Sequence, residues 1–193
     1  MCFSFEVSLV TFIISWSISL YLLNKGLSND KKQHIIFLMI FSSIQLADAI
    51  LWYNKMKRNN INYIVTSYLI PFLLSLQLLY RVFIVNYSEY IKIIDDKFLK
   101  MIILMVIFIL FIKFNGYSKS LCDNKLSSPV WGSNEIKSWQ LITFAFLLFY
   151  PDTFSFFSIL FLFFLIKIFV GGAYGSMWCA ITNLVAFYFL YKY

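Results

Sequence analysis

The run Ile35-Ile36-Phe37-Leu38-Met39-Ile40-Phe41-Ser42-Ser43-Ile44-Gln45-Leu46-Ala47-Asp48-Ala49-Ile50-Leu51-Trp52-Tyr53 decides the fold. As an α-helix rising 1.5 Å per residue it would reach roughly 29 Å, close to the ~30 Å hydrocarbon thickness of a bilayer. Asp48 is its single charged residue. Comparable apolar windows lie on both sides, and together they read as spans at residues 3–23, 35–53, 61–85, 98–114, 139–150, 154–170 and 174–191. The expected fold is all-α: a polytopic membrane helix bundle of about seven transmembrane helices, forming one domain over residues 1–193.

Composition points the same way. Of 193 residues, 61% are hydrophobic, 21% aromatic and only 13% charged, whereas a soluble domain averages roughly a quarter charged. That excludes a soluble enzyme and a disordered chain. The net charge of +7 does not imply nucleic acid, because the basic residues sit in short clusters between apolar runs, such as Lys31-Lys32 and Lys55, Lys57, Arg58. Residues facing lipid headgroups are placed in this way, so the expected partner is a lipid bilayer, with no nucleic acid. Met1-Cys2-Phe3-Ser4-Phe5-Glu6 offers no basic region and no small-residue cleavage site, so the first window is expected to be retained as a span.

Two short windows fill residues 139–170, divided by Pro151-Asp152-Thr153. Pro151 disfavours helix at Tyr150, and Asp152 or Thr153 can cap a following helix. A tight hairpin of two short helices is expected, since one continuous helix would set Pro151 and Asp152 deep in lipid. Residues 115–138, with Gly116, Cys122, Pro129, Trp131 and Gly132, form the one loop large enough to fold over a bundle mouth. No internal repeat supports an inverted-repeat transporter.

Seven spans would put the N-terminus, the 53–61 connection, the long loop and the Gly171-Gly172 turn on one face, side A, and the remaining connections on side B. Lys and Arg divide evenly between the faces, so the positive-inside rule gives no orientation. Asn86-Tyr87-Ser88 is a glycosylation sequon on side B. The unusual polar residues gather toward side A. Cys2 and Glu6 are four apart on the first span. Gln45, Asp48 and Trp52 follow at i, i+3 and i+7 on the second, with Ser42 further in. Trp178 and Cys179 open the last, with Asn183 one turn deeper. An ionisable residue within a span is a functional-site candidate by default. The bland counterparts are interfacial exposure for Glu6, helix-to-helix hydrogen bonding for Gln45 and Asn183, and close packing for Ser8, Ser15 and Ser19. On side B, Gln77, Tyr80 and Arg81 read as interfacial anchoring, with Glu89 or Asp152 as candidate partners for Arg81.

Several chemistries find no support in the residues. A retinal pigment needs a lysine in mid-span, and the last window has only Lys192, at its end. His34 is the single histidine, which argues against a histidine metal site or a bis-histidine haem, and no nucleotide or hydrolase motif occurs. No cofactor is predicted and no metal site is assigned. Cys2, Cys122 and Cys179 all fall on side A, and Cys2–Cys179 or a pairing of either with Cys122 is topologically open in an oxidising compartment. Mixed sulfur and carboxylate ligation from Cys2, Cys179, Glu6 and Asp48 is the other thiol reading.

Met1-Cys2-Phe3-Ser4, the string Ile44-Gln45-Leu46-Ala47-Asp48 followed by Trp52, the Trp131 loop and Gly175-Ser176-Met177-Trp178-Cys179 together resemble a family of multi-spanning membrane proteins of giant DNA viruses, with distant members in bacteria. The resemblance covers the two ends and the second span. It implies architecture and a host-cell or virion membrane, and it supplies no mechanism. Members often carry a histidine in the long loop and this chain has none, which weakens a metal or acid/base role there.

The function expected from these residues is ion or small-solute permeation or ligand binding at a polar vestibule on side A. Glu6, Gln45, Asp48, Trp52, Trp178 and Asn183 would line it, with the long loop above. The alternatives are a membrane-embedded thiol- or metal-dependent enzyme using Cys2 or Cys179, and a structural membrane protein. Residues 154–170 present phenylalanine nearly all around, which suits lipid or a partner helix and leaves a homo-oligomer open.

Overall fold

A computed structural model describes residues 4–123, 126–132, 138–170 and 174–193. The chain is mostly helical. Helix α1 (Phe5–Leu23) begins where the Ser4 hydroxyl accepts from the Val7 N–H at 3.2 Å, a side-chain cap for an otherwise orphan donor. Helix α2 (Asn29–Tyr53) takes in the polar residues before its apolar window, with Asp30 in its first turn. Helix α3 runs continuously from Asn60 to Val85. A short helix α4 (Tyr87–Tyr90) precedes α5 (Asp96–Lys113). An antiparallel ribbon, β1 (Lys119–Asp123) with β2 (Leu126–Val130), follows, then α6 (Ser138–Phe149), α7 (Thr153–Val170) and α8 (Tyr174–Lys192).

Helices α1, α2 and α3 are long and apolar enough to cross a membrane. The expectation of seven spans is therefore met in part. Helix α5 carries Asp96, Lys97, Lys100 and Lys113, and α6 has 12 residues, only about 18 Å of helix against a ~30 Å core. The long loop also needs correction: residues 119–123 and 126–130 pair into the ribbon, Lys119 opposite Val130 and Cys122 opposite Ser127. Pro129 is tolerated because a two-stranded ribbon leaves an unpaired edge for a residue without an N–H. The Gly171-Gly172 turn lies outside the described residues.

Helices α2 and α3 form the centre. Helix α2 packs against α1, α3 and α8, while α3 packs also against α5 and α6. Phe41, Ile44 and Leu51 of α2 meet Leu74, Leu78 and Val82 of α3 in a core that Leu99, Ile103 and Leu148 extend. The outward faces of α5 (Leu104, Met105, Phe108) and α7 (Phe154, Phe157, Phe161, Phe164) are exposed and apolar. Lipid tails are as apolar as leucine, so close packing and hydrogen bonds hold such a bundle more than burial does. Ser8, Ser15 and Ser19 accordingly face inward with no exposure.

Two wide turns interrupt α3. Pro71 has no N–H and its ring crowds the carbonyl of Ser67, and the turn Val65–Leu69 before it loosens to a π-type spacing, with Ile70 N–H reaching Val65 O. A second wide turn covers Tyr80–Val85. The break between α6 and α7 has an equally local cause. Leu147 O would receive the N–H of residue 151, which is proline. The Asp152 N–H turns instead to Phe149 O at 2.7 Å. Side chains from α3 and its extension fill the gap: Tyr90 Oη donates to Leu147 O at 2.7 Å, Arg81 Nε to Leu148 O at 2.8 Å, and Asn86 Nδ2 to Tyr150 O. Burial pushes the Tyr90 phenol well up, so it stays a donor. The sequon asparagine is thus turned into the bundle. Asp152 then caps α7, accepting from Ser155 N–H at 3.0 Å and Ser155 Oγ at 2.6 Å.

Candidate functional site

Asp48 is the centre of the candidate site. Helix α2 carries it about 8 Å before its end, five residues from Tyr53, on the face turned toward the bundle interior, and it has no exposed surface. Its Oδ1 accepts from the indole Nε1 of Trp131 at 2.7 Å. Its Oδ2 has no hydrogen-bond partner among the described residues. The ion pairs among the described residues are Lys92–Glu89 and Lys100–Asp96, both at exposed positions and neither involving Asp48.

The segment after β2 aims the indole. Trp131 sets its ring edge-on to Phe114 at 6.0 Å. Next to it Gly132 has φ +73°, and a Cβ there would stand 2.9 Å from the Lys113 carbonyl oxygen. Glycine is required by both the backbone angle and the space. Pressed onto the end of α5, the segment holds Trp131 over Asp48.

A second cluster fastens the start of the ribbon. Asn62 Nδ2 donates to Ser118 O at 2.9 Å, and Ser118 N–H donates to Asn62 Oδ1 at 2.8 Å. Thr66 Oγ1 donates to Asn62 Oδ1 at 3.0 Å and lies 2.7 Å from Ser118 Oγ. Ser67 Oγ donates to Gly116 O at 3.1 Å and accepts Gly116 N–H at 2.9 Å. Asn62 and Thr66, four apart on α3, share a face, and the wide turn at Val65–Leu69 brings Ser67 round to the same loop. This cluster was absent from the sequence reading. The i, i+4 pair Asn62 and Thr66 at a span start was its one visible signal.

Gln45, one turn deeper than Asp48 on the same face of α2, is wholly buried, and Ser42 lies beyond it with its hydroxyl on Met39 O at 3.0 Å. Trp52 is half-buried near the end of α2. Gln45, Asp48 and Trp131 are thus gathered at one place. Glu6 is exposed in the first turn of α1. Asn183 lies deeper than a vestibule mouth: its Oδ1 accepts from Ser15 Oγ at 3.0 Å, about 14 Å along α1 from Glu6. Cys122 is on β1, and Trp178 and Cys179 are on α8, with their side chains outside the described residues, as is the whole of Cys2. Among the described residues no three His, Cys, Asp or Glu side chains gather to hold a metal ion. Of the two acids expected to partner Arg81, Asp152 acts on its charge without a direct ion pair among the described residues, while the Arg81 Nε–H is taken by the Leu148 carbonyl.

Compared with family models, with curated proteins and with solved structures, the chain matches none.

Proposed function

We propose that this is an integral membrane protein that binds a small hard cation, or a proton, at Asp48 beneath the Trp131 loop, as the core of an ion-permeation or ion-binding activity. One observation carries the reading: a wholly buried carboxylate with one oxygen held by an indole N–H and the other unpartnered among the described residues. A buried, uncompensated carboxylate costs several kcal/mol, so a proton or a cation is the natural complement. Carboxylate and amide oxygens, those of Asp48 and of Gln45 one turn deeper, suit hard cations. Trp131 carries the loop's hydrogen bond to the carboxylate, so its withdrawal would free that oxygen as well. A host-cell or virion membrane is the setting that the resemblance to giant-virus membrane proteins implies. Among the described residues the thiol-enzyme and structural readings have no comparable observation in their favour.

The test uses the full chain in detergent. Sodium, potassium and calcium chlorides are titrated at constant ionic strength, and tryptophan emission is compared between the wild type and Trp131→Phe. A saturable change that one cation produces in the wild type, and that is absent in both Trp131→Phe and Asp48→Asn, is the expected result. Identical titrations in all three proteins would refute the reading, and proteoliposome flux then separates binding from passage.

A further inference from the structure

Toward the other end of the bundle, α3 carries two buried polar side chains one turn apart. Gln77 has no exposed surface, and neither its Oε1 nor its Nε2 has a hydrogen-bond partner among the described residues. Arg81 is 8% exposed. Its Nε–H is committed to Leu148 O at 2.8 Å, and its Cζ lies 5.5 Å over the Phe37 ring. Among the described residues the guanidinium makes no direct ion pair, and the Asp152 carboxylate acts on its charge from a greater distance. The acids at this end make their direct contacts elsewhere. Glu89 pairs with Lys92 at 2.7 Å, and both Asp152 oxygens hold Ser155.

Residues four apart share a helix face and lean toward its start, so both side chains point into the space where α3 packs between α2 and α6. Among the described residues, a buried guanidinium without a direct ion pair and a buried amide without partners are each unfavourable. One oxyanion would relieve both, accepting from the Nη groups and from Gln77 Nε2. The guanidinium fork matches phosphate oxygens. Lys31 and Lys32, at the start of the same α2 that supplies Phe37, give this end a positive approach that draws anionic headgroups.

We propose that Gln77 and Arg81 form an anion site for a phosphate group, carried by an anionic phospholipid headgroup or free in solution. The site stands apart from Asp48 and does not depend on the cation reading.

The experiment follows thermal unfolding of the full chain. Lipid-stripped protein in detergent is titrated with inorganic phosphate against chloride at equal ionic strength. In parallel, nanodiscs of phosphatidylglycerol are compared with nanodiscs of phosphatidylcholine. The wild type is expected to unfold several degrees higher, roughly, with one or both phosphate probes. Gln77→Leu removes an unpartnered polar group from a packed site, so without probe its midpoint equals or exceeds the wild type, while its response needs about tenfold more phosphate or is lost. Arg81→Gln is expected to lose the response altogether; should it fail to fold, Gln77→Leu carries the test. A response to phosphatidylglycerol alone assigns the site to lipid, and one to inorganic phosphate assigns it to an anion from water; both uphold it. No response to either probe, or a response in Gln77→Leu equal to that of the wild type, would overturn it.

Discussion

Asn62, Thr66 and Ser118 on one hand, and Asp48 with Trp131 on the other, both fasten the ribbon loop to the same end of the bundle through wholly or largely buried groups. The first cluster closes on itself. The Asn62 amide donates and accepts, the Thr66 hydroxyl bridges, and the Ser118 backbone is engaged at N–H and carbonyl alike. The second stops half-made, with one oxygen of Asp48 unpartnered among the described residues. A closed polar network in a low-dielectric interior fixes geometry, whereas an open one marks a place where something else belongs. The same loop is thus anchored by one cluster and held over the Asp48 carboxylate by the other.

Breaking the closed cluster should have the largest effect on stability. Asn62→Leu strands the Ser118 carbonyl and leaves its N–H only the longer bond to Thr66 Oγ1 at 3.2 Å, and a loss of about 2–4 kcal/mol is expected, read as a lower thermal midpoint with release of the loop. Gly132→Ala attacks the seat of Trp131 through both its positive φ and its contact with the Lys113 carbonyl. About 1–3 kcal/mol should be lost, together with a red shift in the Trp131 contribution to emission. Tyr90→Phe leaves Leu147 O without its donor and should cost about 1–2 kcal/mol, with no effect on cation titration, which separates backbone repair from the Asp48 site. Asp48→Asn sharpens the contrast most. Removing a buried carboxylate that is in none of the ion pairs among the described residues should change stability by less than about 1 kcal/mol, or raise it, while abolishing the cation response.

The smallest effect is expected in acid. For Asp152, burial acts to raise the carboxyl, but the Ser155 hydroxyl and N–H, the Arg81 charge and the Phe154 N–H together bring it below the usual carboxylate range. A lowered carboxyl contributes stability that is full above its unfolded value near ~3.9 and lost as pH falls through the lower folded one. Wild type and Asp152→Asn should therefore differ by a constant small margin from neutral pH to about 4 and converge below it, a comparison that thermal melts against pH would show.

Hydropathy made α1, α2 and α3 legible, because a bilayer-length apolar run admits few other folds. The face of α2 bearing Gln45 and Asp48 was legible from helical spacing, and the Pro151 break from proline chemistry. What hid from the sequence was long-range. Asn62 and Ser118 are 56 residues apart, Asp48 and Trp131 are 83 apart, and local patterning carries no sign of such pairings. The ribbon was masked by its polar residues and by Pro129, which argue against a strand until the unpaired edge is known. Asn183 read from the sequence either as a lining group or as a helix-to-helix hydrogen-bonding group, and its bond from Ser15 is of the second kind.

The most direct test of the central claim is an infrared difference spectrum of the full chain in lipid, recorded on adding the cation that saturates the tryptophan response. The account predicts a change in a carboxyl band that is present in the wild type and missing in Asp48→Asn. A band change that survives in Asp48→Asn, or no carboxyl change at all at saturation, would contradict it.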